Sequence, residues 1–200
     1  MAPRIPYVAS DIDSKVATQI RARRNKSELL ELDRTLLHSE PIALAWNTML
    51  GAVRTGTSLP PRLRELVICR VAVLNKAQYE WDQHVGLLSD SGVSPMQLDA
   101  LADLSVSYAA LANVFDTDAG ISDHAGGGDA GIPTNTHIDG ATHALVIEAT
   151  DALTRDVAIP DALFGRLKAR FSHTEVVEIV ITISSYNMVS RFLVALHVGQ

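Results

Sequence analysis

Apolar residues recur along most of this chain at spacings of three and four, the pattern of helices that bury one face. Period-two alternation, which is typical of half-buried strands, is hard to find anywhere in the sequence. The pattern therefore predicts an all-α fold without a sheet. The predicted helices lie at about 11–25, 29–38, 39–55, 60–76, 78–88, from 95, 106–114, 141–154, 160–171 and 172–197.

The ends and faces of three of these helices can be predicted in more detail. Ser10 is the expected cap of the first helix, and the third begins after Ser39 with Pro41 in its first turn. The last helix opens with a capping box, Ser172 to Glu175. For the third helix we expect an inward face made of Ile42, Ala45, Trp46, Met49 and Val53.

The last predicted helix is apolar on more than one face. Val176, Ile179 and Ile183 alternate with further apolar residues, and Met188, Phe192 and Leu196 continue the pattern. A chain of 200 residues can hardly bury all of these within one subunit. A second copy of the chain is therefore expected to cover part of this helix.

Glycine is concentrated between residues 116 and 139, a stretch that includes Gly126-Gly127-Gly128. Such a composition is typical of a long flexible loop, either a functional lid or an insertion. The rest of the chain shows no repeat and no linker, so we interpret residues 1–200 as a single domain.

Composition and charge exclude several classes of function. The net charge of −6 lacks the basic surface of a nucleic-acid binder, and the basic run Arg21–Lys26 is interpreted as a solvated helix end. No uninterrupted run of apolar residues is long enough to span a membrane. The first ten residues do not resemble a signal peptide, so a soluble, cytoplasmic protein is expected.

Acidic and histidine side chains stand out at three positions in the central helices. Glu65 lies in a helix that is otherwise almost wholly apolar, where an unpaired carboxylate would be costly. Glu80 and His84 are four residues apart in the next helix and therefore share a face. The three side chains would form an acid/base site if they converged where the helices pack, since His84 titrates near neutral pH. The alternative for Glu80 and His84 is an ordinary surface pair.

The same positions resemble a known motif. Glu65, Ala77, Glu80 and His84 follow the spacing E-x11-C-x2-C-x3-H of AhpD-like alkylhydroperoxidases. The flanking segments RELVICRVAVLN and YEWDQH, and the terminal SSYNMVSRFLVALHVG, are similar to the carboxymuconolactone decarboxylase/AhpD-like family. This resemblance implies a helical domain that forms a homo-oligomer (trimer, hexamer or dimer), with pockets near the subunit interfaces.

The chain departs from the family motif at its redox positions. Ala77 and Glu80 stand where the motif has its two cysteines, and Tyr79 stands where it has a histidine. The sequence contains one cysteine, Cys69, in an apolar run where a buried packing role is expected. A dithiol peroxidase needs a nucleophilic and a resolving thiol, so the usual peroxidase route is excluded.

These observations favour a cofactor-independent lyase or isomerase that acts on a small carboxylate or lactone-type substrate. In this hypothesis His84 moves the proton, Glu65 orients it, and Glu80 is the second acid/base group. Tyr79 donates a hydrogen bond to a developing enolate oxygen. Two alternatives stay open, an antioxidant protein of the alkylhydroperoxidase type and a non-catalytic helical oligomer or binding module.

Residues for substrate binding are expected on two helices. Trp46 on the third helix, and Asn187 and Arg191 on the last, are candidates for the pocket wall. No metal site is expected, because His137, Asp139 and His143 have only loose ligand spacing and no further ligand nearby. No nucleotide-binding fingerprint occurs either, so the expected cofactor set is empty.

Overall fold

A computed structural model of the chain describes residues 2–116 and 138–200. Within those two ranges 71% of the residues are helical and no strand occurs, which confirms the predicted all-α fold class. The helices are α1 (Lys15–Arg24), α2 (Glu31–Leu36), α3 (Glu40–Thr55), α4 (Pro61–Leu74), α5 (Gln78–Asp90), α6 (Pro95–Ala102), α7 (Tyr108–Phe115), α8 (Gly140–Asp156), α9 (Asp161–Arg170) and α10 (His173–Leu196).

Side-chain caps fix where several helices begin. The predicted capping box of α10 is present, with the Ser172 hydroxyl accepting from the backbone N–H of Glu175 and the Glu175 carboxylate accepting from that of Ser172. The predicted start of α1 is wrong by about four residues. Ser14, not Ser10, accepts from the first backbone N–H groups, those of Val16 and Ala17, so the helix begins at Lys15.

The predicted inward face of α3 is wrong for Ile42, Ala45 and Met49, but Val53 is buried and Trp46 is partly buried against the core. The buried residues are Ala43, Leu50 and Val53, whereas Ile42 is 56% and Met49 39% exposed. Apolar residues cover most of the circumference of this helix, so spacing alone did not identify the face that the core would cover. The face left exposed in this subunit is consequently apolar.

Helix α4 lies at the centre of the molecule. Its residues Leu63, Leu66, Val67 and Ile68 are fully buried, and the helix packs against α5, α8 and α10. Only the short connection of residues 75–77 separates α4 from α5, which places these two helices side by side. A buried polar group on α4 therefore needs a hydrogen-bond partner within the protein.

One such polar group on α4 is Arg70, which is 1% exposed. Its Nε and Nη2 each donate to a carboxylate oxygen of Asp151 on α8 at 2.7 Å, and its Nη1 donates to the Leu101 carbonyl at 2.6 Å. Asp151 also accepts from the Tyr108 hydroxyl at 3.2 Å. The sequence analysis did not identify this ion pair, which joins α4 to α8.

Helix α10 is long and apolar enough to cross a membrane by length and composition. Half of its most apolar window is buried inside this subunit, as in the core helix of a globular protein. The expected cytoplasmic location stays a prediction. Most of the glycine-rich loop predicted at 116–139 lies outside the described residues.

Candidate active site

Glu65 and His84 form a buried hydrogen-bonded pair between α4 and α5. The Nδ1 of His84 lies 2.7 Å from Oε2 of Glu65, and the two residues are only 8% and 4% exposed. The other carboxylate oxygen, Oε1, accepts from Nε of Arg64 at 3.3 Å. A carboxylate oxygen accepts, so we assign the tautomer in which Nδ1 of His84 donates its proton to Oε2 of Glu65.

The second ring nitrogen of His84 faces a tyrosine from α10. The Tyr186 hydroxyl lies 3.3 Å from Nε2 of His84 and accepts from Nε of Arg54 at 2.8 Å. With the proton of the neutral imidazole on Nδ1, Nε2 is an acceptor, so the Tyr186 hydroxyl donates to it. Glu65, His84, Tyr186 and Arg54 thus form one continuous hydrogen-bonded chain in which the imidazole is neutral.

Burial also favours the neutral imidazole. It lowers the pKa of His84, and this effect outweighs the hydrogen bond and charge of Glu65, which raise it. The Tyr186 ring packs edge-on against the imidazole, with ring centroids 5.1 Å apart. Burial raises the pKa of Tyr186 to about 12, so the phenol keeps its proton at neutral pH.

Glu80 is held separately from the Glu65–His84 pair. It is 2% exposed, and the Ser190 hydroxyl on α10 lies 3.0 and 2.9 Å from its two carboxylate oxygens. Burial raises the pKa of Glu80 well above its usual range, although the Ser190 hydrogen bond and the charge of Arg54 oppose this. These surroundings therefore favour the protonated form of the carboxyl group, which can donate a hydrogen bond.

Glu80 and His84 both line a cavity of about 320 Å³. One part of its wall is apolar and is formed by Leu30, Leu32, Leu87, Val189 and Leu193. The polar part is formed by Arg23, Arg24, Lys26, Arg54 and Gln83 together with Glu80, His84 and Tyr79. The cavity thus combines a neutral imidazole, a carboxyl group and basic side chains beside an apolar wall.

The sequence analysis missed most of the basic side chains and two hydroxyls at this site. The basic run at the end of α1 was interpreted as a solvated helix end. That interpretation is incomplete, because Arg23, Arg24 and Lys26 also line the cavity. The signal for the hydroxyls was present in the sequence. Tyr186 and Ser190 are four residues apart in an apolar helix, so both lie on one buried face.

Tyr79 lines the cavity, but its hydroxyl has another partner. It donates to Oε2 of Glu31 at 3.0 Å, and burial raises its pKa above the usual range. A side chain at Gly199 would lie 1.9 Å from the Tyr79 ring, so the chain end fits against that ring only because residue 199 is glycine. The structure thus directs this hydroxyl toward α2, whereas the Tyr186 hydroxyl contacts His84.

The three candidate substrate-binding residues lie outside the cavity lining. The rings of Trp46 and Phe192 are 5.4 Å apart, so Trp46 joins α3 to α10. Asn187 accepts from Asn75 at 3.1 Å and donates to Thr154 at 3.0 Å, and Arg191 donates to Asn187. The structure therefore does not bring Trp46, Asn187 and Arg191 together with Glu80 and His84.

Cys69 and the histidine-containing segment near α8 are also apart from the cavity. Cys69 is fully buried, and burial, together with Glu65 and Glu80, raises the pKa of its thiol. His143 stacks on Phe115 and approaches the Asp139 backbone oxygen at 2.9 Å. Its proposed partner His137 lies outside the described residues, and within those residues no group of three possible metal ligands occurs.

Comparison with known proteins relates this site to a family. Residues 40–119 match the carboxymuconolactone decarboxylase family, and no curated protein matches the sequence. A protein of unknown function from Agrobacterium tumefaciens, a candidate antioxidant defence protein AhpD, is similar in structure. It has a TM-score of 0.55 and 18% identity, over 78% of this chain and 87% of that one.

A second solved structure, an uncharacterised peroxidase-related protein from Silicibacter sp. TM1040, has a TM-score of 0.67 and 14% identity. The match covers 99% of this chain and 93% of the other. At these identities the structural likeness establishes the fold alone. The resemblance predicted from the sequence is therefore confirmed: residues 40–119, which contain Glu65, Glu80 and His84, match the carboxymuconolactone decarboxylase family, and the chain has an AhpD-like helical fold.

Proposed function

We propose that this protein is a cofactor-independent lyase or isomerase that acts on a small carboxylate or lactone-type substrate by acid/base chemistry. The observation that carries the proposal is that one cavity is lined by His84, whose pKa burial lowers, and by Glu80, whose pKa burial raises. Sites that perform acid/base chemistry near neutral pH commonly separate the pKa values of two groups in this way.

His84 is the base in this mechanism. Its Nε2 carries the free electron pair, because Nδ1 donates to Glu65. When Nε2 takes a proton, the nearby carboxylate of Glu65 stabilises the imidazolium that forms. The 3.3 Å contact with the Tyr186 hydroxyl is long for a hydrogen bond to nitrogen, so a substrate that enters the cavity can displace it.

Glu80 is the acid. Its raised pKa favours the protonated carboxyl group, which can hydrogen-bond an oxygen atom that becomes negative during the reaction. Ser190 holds the group in place from α10. Tyr79 is close enough to shape the cavity, but the enolate-stabilising role expected for its hydroxyl would require that hydroxyl to leave Glu31.

The same residues serve both reaction types. In an isomerisation, His84 removes a proton beside a carbonyl, the electron pair forms an enolate that Glu80 stabilises, and a proton returns to another carbon. In a decarboxylation, the carbon–carbon bond breaks, carbon dioxide leaves, and the electron pair forms the same enolate, which then takes a proton. Neither path changes the oxidation state of the protein, so no redox cofactor is needed.

Deuterium exchange tests the acid/base proposal without knowledge of the natural substrate. Levulinate and α-angelica lactone both carry exchangeable C–H groups beside a carbonyl and are small relative to the cavity. In D₂O the native protein should accelerate deuterium incorporation, measured by NMR, and His84→Ala should not. Acceleration that persists in His84→Ala, or no acceleration with either compound, would contradict the assignment.

A thiol-based antioxidant activity is the rival suggested by the names of the two similar structures. The chain offers Cys69 alone for it, a fully buried thiol whose pKa is raised. A thiolate is the reactive form, so these surroundings disfavour attack on a peroxide. We therefore give the acid/base function precedence.

We also propose that the protein is a homo-oligomer. Apolar side chains remain exposed on two neighbouring helices, Ile42 at 56% and Met49 at 39% on α3, and Val177 at 65% and Met188 at 38% on α10. A second copy of the chain would cover these residues. Sedimentation at micromolar concentration should therefore give a dimer, trimer or hexamer, and a particle of 21.6 kDa would contradict the proposal.

A further inference from the structure

Two arginines of the cavity wall are oriented in the same way. Arg23 on α1 donates through Nε to Asn47, and Arg54 on α3 donates through Nε to the Tyr186 hydroxyl. Within residues 2–116 and 138–200, neither guanidinium has a carboxylate within ion-pair distance, and their terminal nitrogens make no hydrogen bond. Each arginine is thus held in place through its Nε, while its terminal nitrogens remain available to donate to a ligand.

The position of Arg23 depends on a glycine in the neighbouring helix. A side chain at Gly51 would begin 3.2 Å from Cδ of Arg23, so the aliphatic part of Arg23 lies closely against α3 at this point. Together with the hydrogen bond to Asn47, this contact places the guanidinium before any ligand arrives. Preorganised donors lose less conformational entropy on binding than free ones.

The cavity wall is positive although the protein is acidic. The whole chain has a net charge of −6, yet Arg23, Arg24, Lys26 and Arg54 line this one cavity. Among the described residues, Arg24 is the one of these four with an ion-pair partner, Asp33 at 2.8 Å. Glu80 is the one carboxyl group in the lining, and burial raises its pKa, which favours its uncharged form.

We propose that Arg23 and Arg54 bind the carboxylate of the substrate, with the carbon skeleton against the apolar wall and the reacting carbon at His84 and Glu80. This inference rests on the proposed function and names the binding group of the same site. Guanidinium groups bind carboxylates through charge-assisted hydrogen bonds, which are about twice as strong as neutral ones.

The electrostatics of the empty cavity agree with this assignment. The pKa of Arg23 is lowered, first by burial and then by the charges of Arg54 and Arg24. A bound anion relieves this repulsion among like charges. Arg54 also lowers the pKa values of Glu80 and His84, so the anion site and the acid/base groups are electrostatically close.

The arrangement also restricts which carboxylate can react. A carboxylate held by two guanidinium groups is stabilised as an anion and resists loss as neutral carbon dioxide. The group bound by Arg23 and Arg54 is therefore the one that remains in the product. A substrate for a proton shift therefore needs only this one carboxylate. A substrate for decarboxylation needs a second carboxylate near His84 and Glu80, which leaves as carbon dioxide.

Binding of levulinate and of its neutral methyl ester to the full-length protein tests the carboxylate site. The two probes share one carbon skeleton and differ in charge. Calorimetry or NMR titration should show that the native protein binds levulinate at least about tenfold more tightly than the ester. Arg23→Gln should remove most of that preference, while Arg23→Lys keeps part of it, because the lysine ammonium retains the charge without the planar donor pair.

Arg21→Gln is the matched control. Arg21 lies on the same helix and carries the same charge, but it does not line this cavity. We expect Arg21→Gln to retain the levulinate preference. Equal affinities for levulinate and ester in the native protein, or equal losses in Arg21→Gln and Arg23→Gln, would overturn the proposed site.

The binding measurement and the deuterium-exchange measurement test different claims, so one can fail without the other. His84→Ala should still prefer levulinate over the ester, since His84 is not part of the anion site. If the preference is present but the native protein does not accelerate exchange, the carboxylate site stands and the acid/base function is wrong. If exchange is accelerated but levulinate has no advantage over the ester, the chemistry stands and the carboxylate site is wrong.

Discussion

Arg70 and Glu65 are both buried and ionisable and both lie on helix α4, but their surroundings differ in one respect. Every partner of Arg70 is a fixed protein group, the carboxylate of Asp151 and the carbonyl of Leu101. Glu65 instead begins a hydrogen-bonded chain through His84 that reaches the cavity. We call the Arg70 cluster closed, because all its partners belong to the protein, and the Glu65–His84 cluster open, because it reaches the cavity.

The difference separates a structural polar group from a chemical one. Arg70 and Asp151 are buried against each other and do not line the cavity, so their role is to hold α4 to α8. At the other cluster, the Glu80 carboxyl and the end of Arg54 can bond to a ligand, and Nε2 of His84 is held only by the long 3.3 Å contact with the Tyr186 hydroxyl. Burial alone does not identify an active site, whereas burial with unused hydrogen-bonding capacity does.

The largest expected effect is on stability, at the closed cluster. Arg70→Met leaves Asp151 buried without its main partner and should lower the free energy of unfolding by about 3–5 kcal/mol. Arg155→Gln is the control, because Arg155 is 48% exposed and 3.6 Å from the same carboxylate; it should cost less than about 1 kcal/mol. Urea unfolding measures both, and similar losses would contradict the closed-cluster interpretation.

The next effect is on activity, at the open cluster. His84→Ala and Glu80→Gln should each reduce the rate of deuterium exchange by about 10²-fold or more, the usual contribution of a positioned acid or base. Urea unfolding of the same variants should show that they remain folded at the assay temperature. A loss of activity that follows the loss of folded protein would make this cluster structural, like that of Arg70.

The pH dependence of stability provides a finer test of the same contrast. Because the folded pKa of Glu80 is raised above its usual value of 4.5, its stabilising contribution is present below that pH and is lost as the pH rises. Glu80→Gln cannot ionise. Its free energy of unfolding relative to the native protein should therefore increase as the pH rises above 4.5.

Parallel stability curves for the native protein and Glu80→Gln would show that Glu80 is ionised in the folded state. Activity should have a complementary profile. It should fall at low pH as His84 becomes protonated and at high pH as Glu80 ionises, which gives a bell-shaped curve.

The smallest expected effect is at Cys69, which lies on α4 between the two clusters. Cys69→Ala should leave the exchange rate within about two-fold of the native value and cost about 1 kcal/mol of stability, because the thiol has only a packing role. Peroxide reduction that disappears in Cys69→Ala, with exchange absent in the native protein, would favour the antioxidant rival.

Particular residues show how far sequence reasoning reached. Helical spacing was sufficient for the fold class, and the four-residue step from Glu80 to His84 predicted a shared face. The family motif indicated Glu65 as a further member. Local spacing did not predict the correct face of α3, because apolar residues occur on several sides of that helix.

Only the tertiary structure decided the contacts between residues that are far apart in the chain. Arg54 and Tyr186 are separated by 132 positions, and no local pattern indicates that one donates to the other. Tyr79 and Tyr186 are equivalent as residue types, but packing directs one hydroxyl to Glu31 and the other to His84. The sequence determined which helices form, because propensity and periodicity act over one or two turns. Which polar groups remain open to the cavity depends on how those helices pack, since hydrogen-bond partners are set by distance in space.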